Sequence, residues 1–270
     1  MTLRGGKWKR WLKAILGWII YRSGLYRLLV RDRAFIVLFH RIDNELRDNP
    51  ISCGVEAFEA YCRFLGRYFE VVSLSELLDR LAEGEAVGGK VVITFDDGYK
   101  DNYDVAAPIL RRHELPACFF IATGFIGTDR VGWWDAEEGV ESRWMDWDDV
   151  RALDRMGFEI AAHTRNHVDL GKVTGEPARR EIAGSVERLE SELGHPINLF
   201  SFPYGLKRHI TESNREIVRE IGLRCCCAAY GGDVRSNSDP FDLKRVPISL
   251  WHVSPFHLGF ELLREPSTGQ

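Results

Sequence analysis

The stretch VVITFDDG (residues 91–98) decides the fold, because an apolar, β-branched run passes directly into two acids and a glycine. Such a run predicts a buried strand, and the Asp-Asp-Gly predicts a turn at its carboxyl end. Similar runs alternate with helical patterns along the chain, which is typical of a parallel α/β sheet or barrel. Seven or eight strands favour a barrel over an open sheet. The predicted strands are 35–39, 69–72, 91–95, 117–122, 158–162, 197–202, 224–229 and 243–248.

The bulk composition excludes some classes of protein. The chain has 270 residues, 45% of them hydrophobic, which is enough for one large α/β domain. A net charge of -4 lacks the cationic excess that nucleic-acid binding by counterion release requires. We therefore predict no nucleic-acid partner.

Residues 1–33 form a basic amphipathic segment ahead of the domain predicted for residues 34–270. This segment contains nine cationic residues and one acidic residue, Asp32. Apolar residues at helical spacing predict a helix that could lie on an anionic membrane surface through residues 7–30. The alternative is a helix that packs on its own domain with a solvated basic face. The apolar run 14–21 is shorter than the roughly 20 residues that span a bilayer, and no small-residue cleavage site follows it.

The six cysteines show no C-x-x-C pair, and most of them lie among apolar neighbours. This usage is typical of reduced core residues. It predicts a cytoplasmic protein, with an inner-membrane contact if the N-terminal helix binds lipid.

Unusual polar residues follow four of the predicted strands. His40 ends one, Asp96-Asp97-Gly98 another, His163 a third, and Pro203-Tyr204-Gly205 a fourth. In a parallel barrel the carboxyl ends of the strands share one face, where active sites are assembled. We therefore expect these four segments to meet in a single cleft.

Three of these residues have the chemistry of a metal site. His163 and His167 are four residues apart, and Asp97 would supply a carboxylate from another strand. Three protein ligands leave a coordination position for water. A lone strand histidine is more often a core residue, and Asp-Gly is common in turns. Two adjacent buried acids, however, favour a nearby cation.

The motifs TFDDGY (94–99), HTRNH (163–167) and FPYG (202–205) together resemble the polysaccharide deacetylase family, also called carbohydrate esterase family 4 or the NodB-homology domain. The resemblance covers residues 35–250. It implies a distorted (β/α) barrel that holds one divalent metal, usually zinc. Carried over by position, it makes Asp97, His163 and His167 the ligands and Asp96 the general base. It also places the backbone N–H of Tyr204 in the oxyanion hole.

The proton donor has two candidates. His40, in VLFHR (37–41), resembles the subgroup whose catalytic histidine precedes the Asp-Asp motif, whereas His252 resembles the late histidine of the ordinary arrangement. We favour His40 because it closes a predicted strand. Ser201 stands where the ordinary family has an arginine that steadies the base, so a cation from another segment is expected to orient Asp96. That departure also fits the early-histidine subgroup.

Three functions are compatible with these motifs. The leading one is hydrolysis of N-acetyl groups on a sugar, polysaccharide or lipid-linked glycan precursor, with Trp133, Trp134, Trp144 and Trp147 as candidates for stacking on sugar rings. The second is hydrolysis of a non-sugar linear amide on the same fold. The third, a non-catalytic sugar-binding relative, is disfavoured because the base and all three ligands are present.

Overall fold

The computed structural model describes residues 6–46 and 49–264 of the chain. Arg4, one of the nine N-terminal cations, lies outside the described residues. The strands are β1 (Phe35–Phe39), β2 (Arg41–Ile42), β3 (Ser52–Cys53), β4 (Glu70–Val71), β5 (Lys90–Phe95), β6 (Cys118–Ile121), β7 (Glu159–Ala162) and β8 (Val246–Pro247). The α-helices are α1 (Lys7–Arg22), α2 (Tyr26–Leu29), α3 (Val55–Tyr68), α4 (Leu74–Glu83), α5 (Ala107–Arg112), α6 (Trp133–Glu137), α7 (Trp147–Arg155), α8 (Gly175–Leu193), α9 (Glu212–Glu220) and α10 (Pro255–Leu263).

The main sheet is parallel and closes on itself. Its strands run in the order β7-β6-β5-β1-β8, and β4 pairs with the start of β5 outside this path. Beyond β7, single parallel bridges join Ala162 to Phe200, Ser201 to Cys227, and Cys227 to Leu243, which leads into β8. Five named strands and two bridged segments therefore complete a circuit of seven, a distorted α/β barrel. The predicted fold class is confirmed.

The predicted strands 69–72 and 243–248 are reduced to the two-residue strands β4 and β8, and 197–202 and 224–229 form only isolated bridges. In 197–202 and 224–229 the parallel ladder lasts for only one repeat, in which Cys227 N–H donates to Phe200 (2.9 Å) and Phe202 N–H to Cys227 (3.0 Å). Next to this repeat, Cys226 N–H turns away from the ladder to donate to Pro240 (3.0 Å). The barrel is irregular on this side because the backbone bonds leave the ladder after one repeat.

The regular side of the barrel is made by β1 and β5, whose residues are all buried. Continuous apolar runs of this kind suit parallel strands that are covered on both faces. Their register pairs Phe35 with Val91 and Phe39 with Phe95, so both strands end at the same level. The rings of Phe39, Phe95 and Phe119 stack across three strands at centroid distances of 5.5 and 4.8 Å. This packing fixes the strand ends that carry the candidate site.

Side chains of capping residues bond to the first turns of α7 and α4. The side chain of Asp146 accepts a bond from Asp149 N–H, and Asp149 reciprocates, which forms a capping box at α7. Ser73 accepts from Glu76 N–H at the start of α4, but the Glu76 carboxylate pairs with Arg80 one turn on (3.0 Å). A reciprocal capping box at Ser73 is thus only half formed, because Arg80 competes for the carboxylate.

All six cysteines are buried and unpaired. They lie in the described part of the chain, on strands and helices of the barrel wall or next to them. Their prediction as reduced core residues agrees with this placement.

The N-terminal helix α1 packs against α10. The predicted division of the chain into a segment 1–33 and a domain 34–270 stays a prediction. Gly17 makes the closest approach, since a Cβ there would meet the carbonyl oxygen of Phe256 at 2.0 Å. The Tyr21 hydroxyl donates to the Gly259 carbonyl (3.1 Å). None of the helices within the described ranges combines the length and the hydropathy that a bilayer crossing requires.

One ion pair in this contact gives a pH-dependent prediction. Glu261 lies 2.5 Å from Lys13 and 3.5 Å from His257. Burial would raise the pKa of Glu261, but the hydrogen bonds from His257 and Lys13 outweigh it and lower that pKa to about 2. Because the folded-state pKa is depressed, the stabilisation is present above the ordinary value of 4.5 and is lost as the pH falls towards 2.

We therefore expect Glu261→Gln to lower the free energy of unfolding by about 0.5–1 kcal/mol near neutral pH, since the group is half-buried and partly screened. The difference from the parent should shrink steadily below about pH 4.5. Urea denaturation followed by circular dichroism at several pH values measures both. A difference that stays constant with pH would contradict the assignment of this stabilisation to the ionised carboxylate.

Candidate active site

Polar residues at the carboxyl ends of neighbouring strands form a buried cluster. His40 follows β1, Asp96 and Asp97 follow β5, and His163 follows β7. The Asp97 Oδ1 atom lies 3.4 Å from Nε2 of His163 and 3.2 Å from Nε2 of His167. Ligand atoms of these three buried residues all lie within 4.8 Å of one another. The three predicted metal ligands therefore surround one point.

The backbone at these motifs is tightly turned. Asp97, Thr164, His167 and Tyr204 have φ values of 77°, 62°, 52° and 61°. Non-glycine residues adopt this region rarely, and such residues cluster at functional sites. Within the described residues, four of the five non-glycine residues with positive φ thus lie in the three motifs.

The donor atoms of the cluster fit a divalent metal. Among the described residues, Asp97 Oδ1 is buried without a hydrogen-bond donor. The Nδ1 atom of His163 lies 2.9 Å from the Ser201 carbonyl, which can only accept, so in the neutral ring Nδ1 carries the proton. Nε2 of His163 then presents a lone pair to Asp97 and the shared point. One carboxylate oxygen and two imidazole nitrogens are the donor set of a catalytic zinc site.

Asp96 is held by a buried arginine. Arg245 donates from Nη1 and Nη2 to the two carboxylate oxygens of Asp96, both at 2.7 Å, and from Nε to the Ala228 carbonyl at 2.9 Å. Burial would raise the pKa of Asp96, but Arg245 and then His163 outweigh it and lower that pKa. Asp96 is thus a fixed and ionised carboxylate, 3.8 Å from Nε2 of His163.

Arg245 is the functional residue that sequence reasoning missed. It supplies the cation expected from another segment in place of the arginine absent at position 201. The signal in the sequence was an arginine inside the predicted strand 243–248. The structure shows that this charge is fully buried (0% exposed), where it needs a partner. Ser201 supports His163 instead, through its carbonyl and through its hydroxyl oxygen at 2.6 Å from Nδ1.

The two candidate proton donors have different surroundings. Burial lowers the pKa of His40, and the charges of Asp97 and Asp96 oppose that shift. His40 follows β1 beside the start of the Asp-Asp turn, where the Asp96 backbone N–H donates to the Phe39 carbonyl (3.0 Å). His252 lies in the segment after β8, where its carbonyl accepts from the Tyr61 hydroxyl (2.8 Å) and its ring lies 5.6 Å from that of His257. This geometry favours His40.

Tyr204 lies beside the cluster. Its ring centroid is 4.7 Å from that of His167, and its hydroxyl donates to the His167 carbonyl at 3.3 Å. Within the described residues, the Tyr204 backbone N–H donates to no other backbone group. Gly205 follows at φ 60°, where a Cβ would come within 2.6 Å of Ala229. The turn therefore leaves one backbone donor available next to the predicted ligands.

The long, mostly irregular segment 123–145 covers part of the cluster. The ring of Trp134 lies 4.4 Å from that of His167. Trp134 Nε1 donates to the Tyr99 hydroxyl (2.7 Å), which donates in turn to the buried carboxylate of Asp135 (3.0 Å). This chain of hydrogen bonds positions Trp134 against a predicted ligand.

Comparison with known proteins identifies the class. The sequence model of the family described as polysaccharide deacetylase matches residues 83–226, more than half of the chain. The chain belongs to the polysaccharide deacetylase family. The resemblance inferred from the three motifs is confirmed.

Two curated relatives illustrate the similarity. YxkH of Bacillus subtilis, whose name describes it as a polysaccharide deacetylase, is 23% identical over 79% of this chain and 71% of its own length. The poly-beta-1,6-N-acetyl-D-glucosamine N-deacetylase of Staphylococcus aureus is 22% identical over 79% of this chain and 72% of its own length. Both relatives carry deacetylase names.

Solved structures share the fold. The Streptococcus pyogenes deacetylase PplD superimposes with a TM-score of 0.70 at 20% identity, covering 84% of this chain and 96% of that one. IcaB from Ammonifex degensii gives a TM-score of 0.69 at 22% identity, with 84% and 97% covered. These likenesses agree with the closed parallel barrel described above.

Proposed function

We propose that this protein is a metal-dependent N-deacetylase that hydrolyses the acetamido groups of an N-acetylated glycan. The observation that carries the proposal is the juxtaposition of two features. The first is the buried cluster of Asp97, His163 and His167, whose donor atoms fit a divalent metal, most simply zinc. The second is the carboxylate of Asp96, which Arg245 fixes within 3.8 Å of that cluster.

The chemical roles of the individual groups follow from the requirements of amide hydrolysis. A bound metal would polarise the acetyl oxygen and lower the pKa of a water molecule. Asp96 is ionised and oriented, so it can take the proton of the attacking water as general base. Arg245 keeps the carboxylate in place and lies too deep to reach a substrate, since it is fully buried.

The oxyanion and the leaving amine need further groups. The Tyr204 backbone N–H provides a donor for the oxyanion, and a fixed donor of this type stabilises a tetrahedral state more than water does. The amine must leave with a proton, and His40 is the candidate to deliver it. Burial lowers the pKa of His40, which makes its protonated form a stronger acid towards the leaving amine.

The rim of the site suits a sugar. Trp133 is 53% exposed, and its Nε1 donates to the Tyr204 hydroxyl at 2.8 Å. An aromatic ring held at the mouth of a polar site can stack on the apolar face of a pyranose. Trp144 lies in the core and Trp147 packs under Arg188, so these two are structural. The deacetylase names of the relatives point to the same substrate class.

An acetate-release assay tests the proposed function. The metal-loaded protein is incubated with N-acetylglucosamine, short and long poly-N-acetylglucosamine, a lipid-linked N-acetylated sugar, and a small linear amide. Release from at least one glycan, abolished by chelation and restored by zinc, is expected. Release from the linear amide alone, or from no substrate at all with metal bound, would overturn the glycan deacetylase assignment.

The proton donor gives a separate prediction. His40→Ala is expected to lower kcat for acetate release by about 10²–10⁴-fold, the usual contribution of a general acid. His252→Ala is the matched control and should stay close to the parent. Metal content, measured by elemental analysis, should be unchanged in both variants. A large loss confined to His252→Ala would assign the role to the late histidine instead.

A further inference from the structure

Helices α1 and α2 present a large apolar face to solvent. Trp8, Trp11, Ile15 and Trp18 are 65%, 57%, 55% and 51% exposed. Exposed leucines and an isoleucine extend this face along α1 and into α2: Leu12, Leu16, Ile19, Leu25, Leu28 and Leu29. Contiguous apolar surface of this kind marks an interaction site in a folded protein. We call these ten residues the apolar face.

The apolar face lies on the side of α1 that points away from the domain. The opposite side of α1 is occupied by α10, with Gly17 against the Phe256 carbonyl and Tyr21 bonded to Gly259. Lys13 pairs with Glu261 on the same side. The domain thus buries the side of α1 that holds Ala14, Gly17 and Tyr21, and the stripe of large apolar residues stays outside. The helix packs on its own domain, as the alternative prediction has it, and its solvated side carries the large apolar residues as well as exposed cations.

Exposed cations frame the apolar face. Lys9 and Arg22 lie on α1, Arg27 lies on α2, and Arg31 follows, all exposed. Apolar side chains enter the acyl boundary of a bilayer while lysine and arginine reach the phosphates. Tryptophan is suited to the same interface. The chemistry of this surface therefore matches an anionic lipid headgroup layer.

Charge argues for lipid and against a second copy of the chain. A symmetric dimer through this face would bring the same patch of each copy together. The cations of both copies would then lie close to each other, which is unfavourable. An anionic bilayer neutralises the same cations, which are attracted to its surface.

We propose that the apolar face of α1 and α2 docks this protein onto an anionic lipid bilayer. The amino-terminal end of this surface adjoins the end of the barrel that holds the candidate site, because the Arg10 guanidinium lies 4.9 Å over the ring of Trp251, in the segment after the carboxyl end of β8. The α2 end lies at the other end of the barrel, where the Gly89 N–H, just before β5, donates to the Val30 carbonyl (2.8 Å). Docking would hold the candidate site next to glycans at the membrane surface. In the cytoplasm, the compartment predicted from the cysteines, the anionic inner leaflet is the matching surface. The proposal does not depend on the deacetylase assignment.

Vesicle flotation of the full chain tests the docking. The probes are vesicles of phosphatidylcholine and vesicles of phosphatidylcholine with an equal part of phosphatidylglycerol. Binding to the anionic vesicles, weakened by added salt, is expected. Trp11→Glu/Ile15→Glu should lower the partition coefficient at least about tenfold, since two inserted side chains become charged. Met156→Glu, at an exposed apolar residue of 37% exposure next to α7, is the matched control and should bind like the parent.

Two further measurements make the outcome decisive. Thermal unfolding must show the same midpoint for the parent and the double variant, which is expected because both positions are exposed. Sedimentation velocity reports self-association. Absence of vesicle binding by the parent, equal binding by the double variant, or a parent dimer that the double variant dissociates without any vesicle binding would each overturn the proposal.

Discussion

Asp96→Asn is expected to lower kcat for acetate release by about 10²–10⁴-fold while the protein keeps its metal. Asparagine preserves the shape of the side chain but cannot accept the proton of the attacking water. Asp97 and the two histidines are unchanged, so metal content should match the parent. His167→Ala, in contrast, removes one of the three predicted ligands and should lose both metal and turnover.

Matched controls exist on the surface of the chain. His195 and Asp154 form an exposed pair at 2.9 Å, so Asp154→Asn and His195→Ala repeat the two substitutions away from the site. Activity and zinc content of these controls should equal those of the parent. Full turnover in Asp96→Asn or His167→Ala would refute the roles assigned here.

Arg245→Met is expected to destabilise the protein by about 3–5 kcal/mol, because it leaves the buried Asp96 carboxylate without its partner. The same change should raise the pKa of Asp96 and shift the acidic limb of the activity profile to higher pH, since the positive charge beside the carboxylate is lost. Arg245→Lys should recover only part of either effect, because an ammonium group cannot form the two parallel bonds.

The double variant Asp96→Asn/Arg245→Met separates stability from catalysis. Both charges are removed together, so the loss in free energy of unfolding of the double variant should be well below the sum of the two single losses. Its turnover should nevertheless stay as low as that of Asp96→Asn. Urea unfolding and acetate release measure the two quantities. Additive stability losses, or an active Arg245→Met variant with an unshifted pH profile, would show that another group orients Asp96.

The regular part of the barrel was predictable from local sequence. The runs at 35–39 and 91–95 are apolar throughout, and parallel strands covered on both faces require that pattern. The segments 197–202 and 224–229 carry a similar pattern but form only single bridges. Periodicity does not report how long a ladder lasts, because that depends on which partner carbonyls lie within reach.

The candidate site was predictable to the extent that it depends on strand ends. Asp97 and His163 each lie at the end of an apolar run, and parallel topology brings such ends to one face. His167 lies four residues beyond His163 in the same loop. Arg245 was not assigned, because its partner lies 149 residues away in the chain. The position of the apolar face of α1 was also undecided, since an amphipathic stripe can face either the domain or a membrane.

The sequence by itself therefore determined the βα alternation, the family and the identity of the predicted ligands, because these depend on short patterns at fixed spacing. Only the tertiary structure decided that Arg245 holds Asp96, that Ser201 supports His163, and that the apolar face of α1 points outward. Each of these depends on contacts between distant segments. Such contacts are set by the closure of the barrel and by the approach of Gly17 to α10, and no local pattern encodes either.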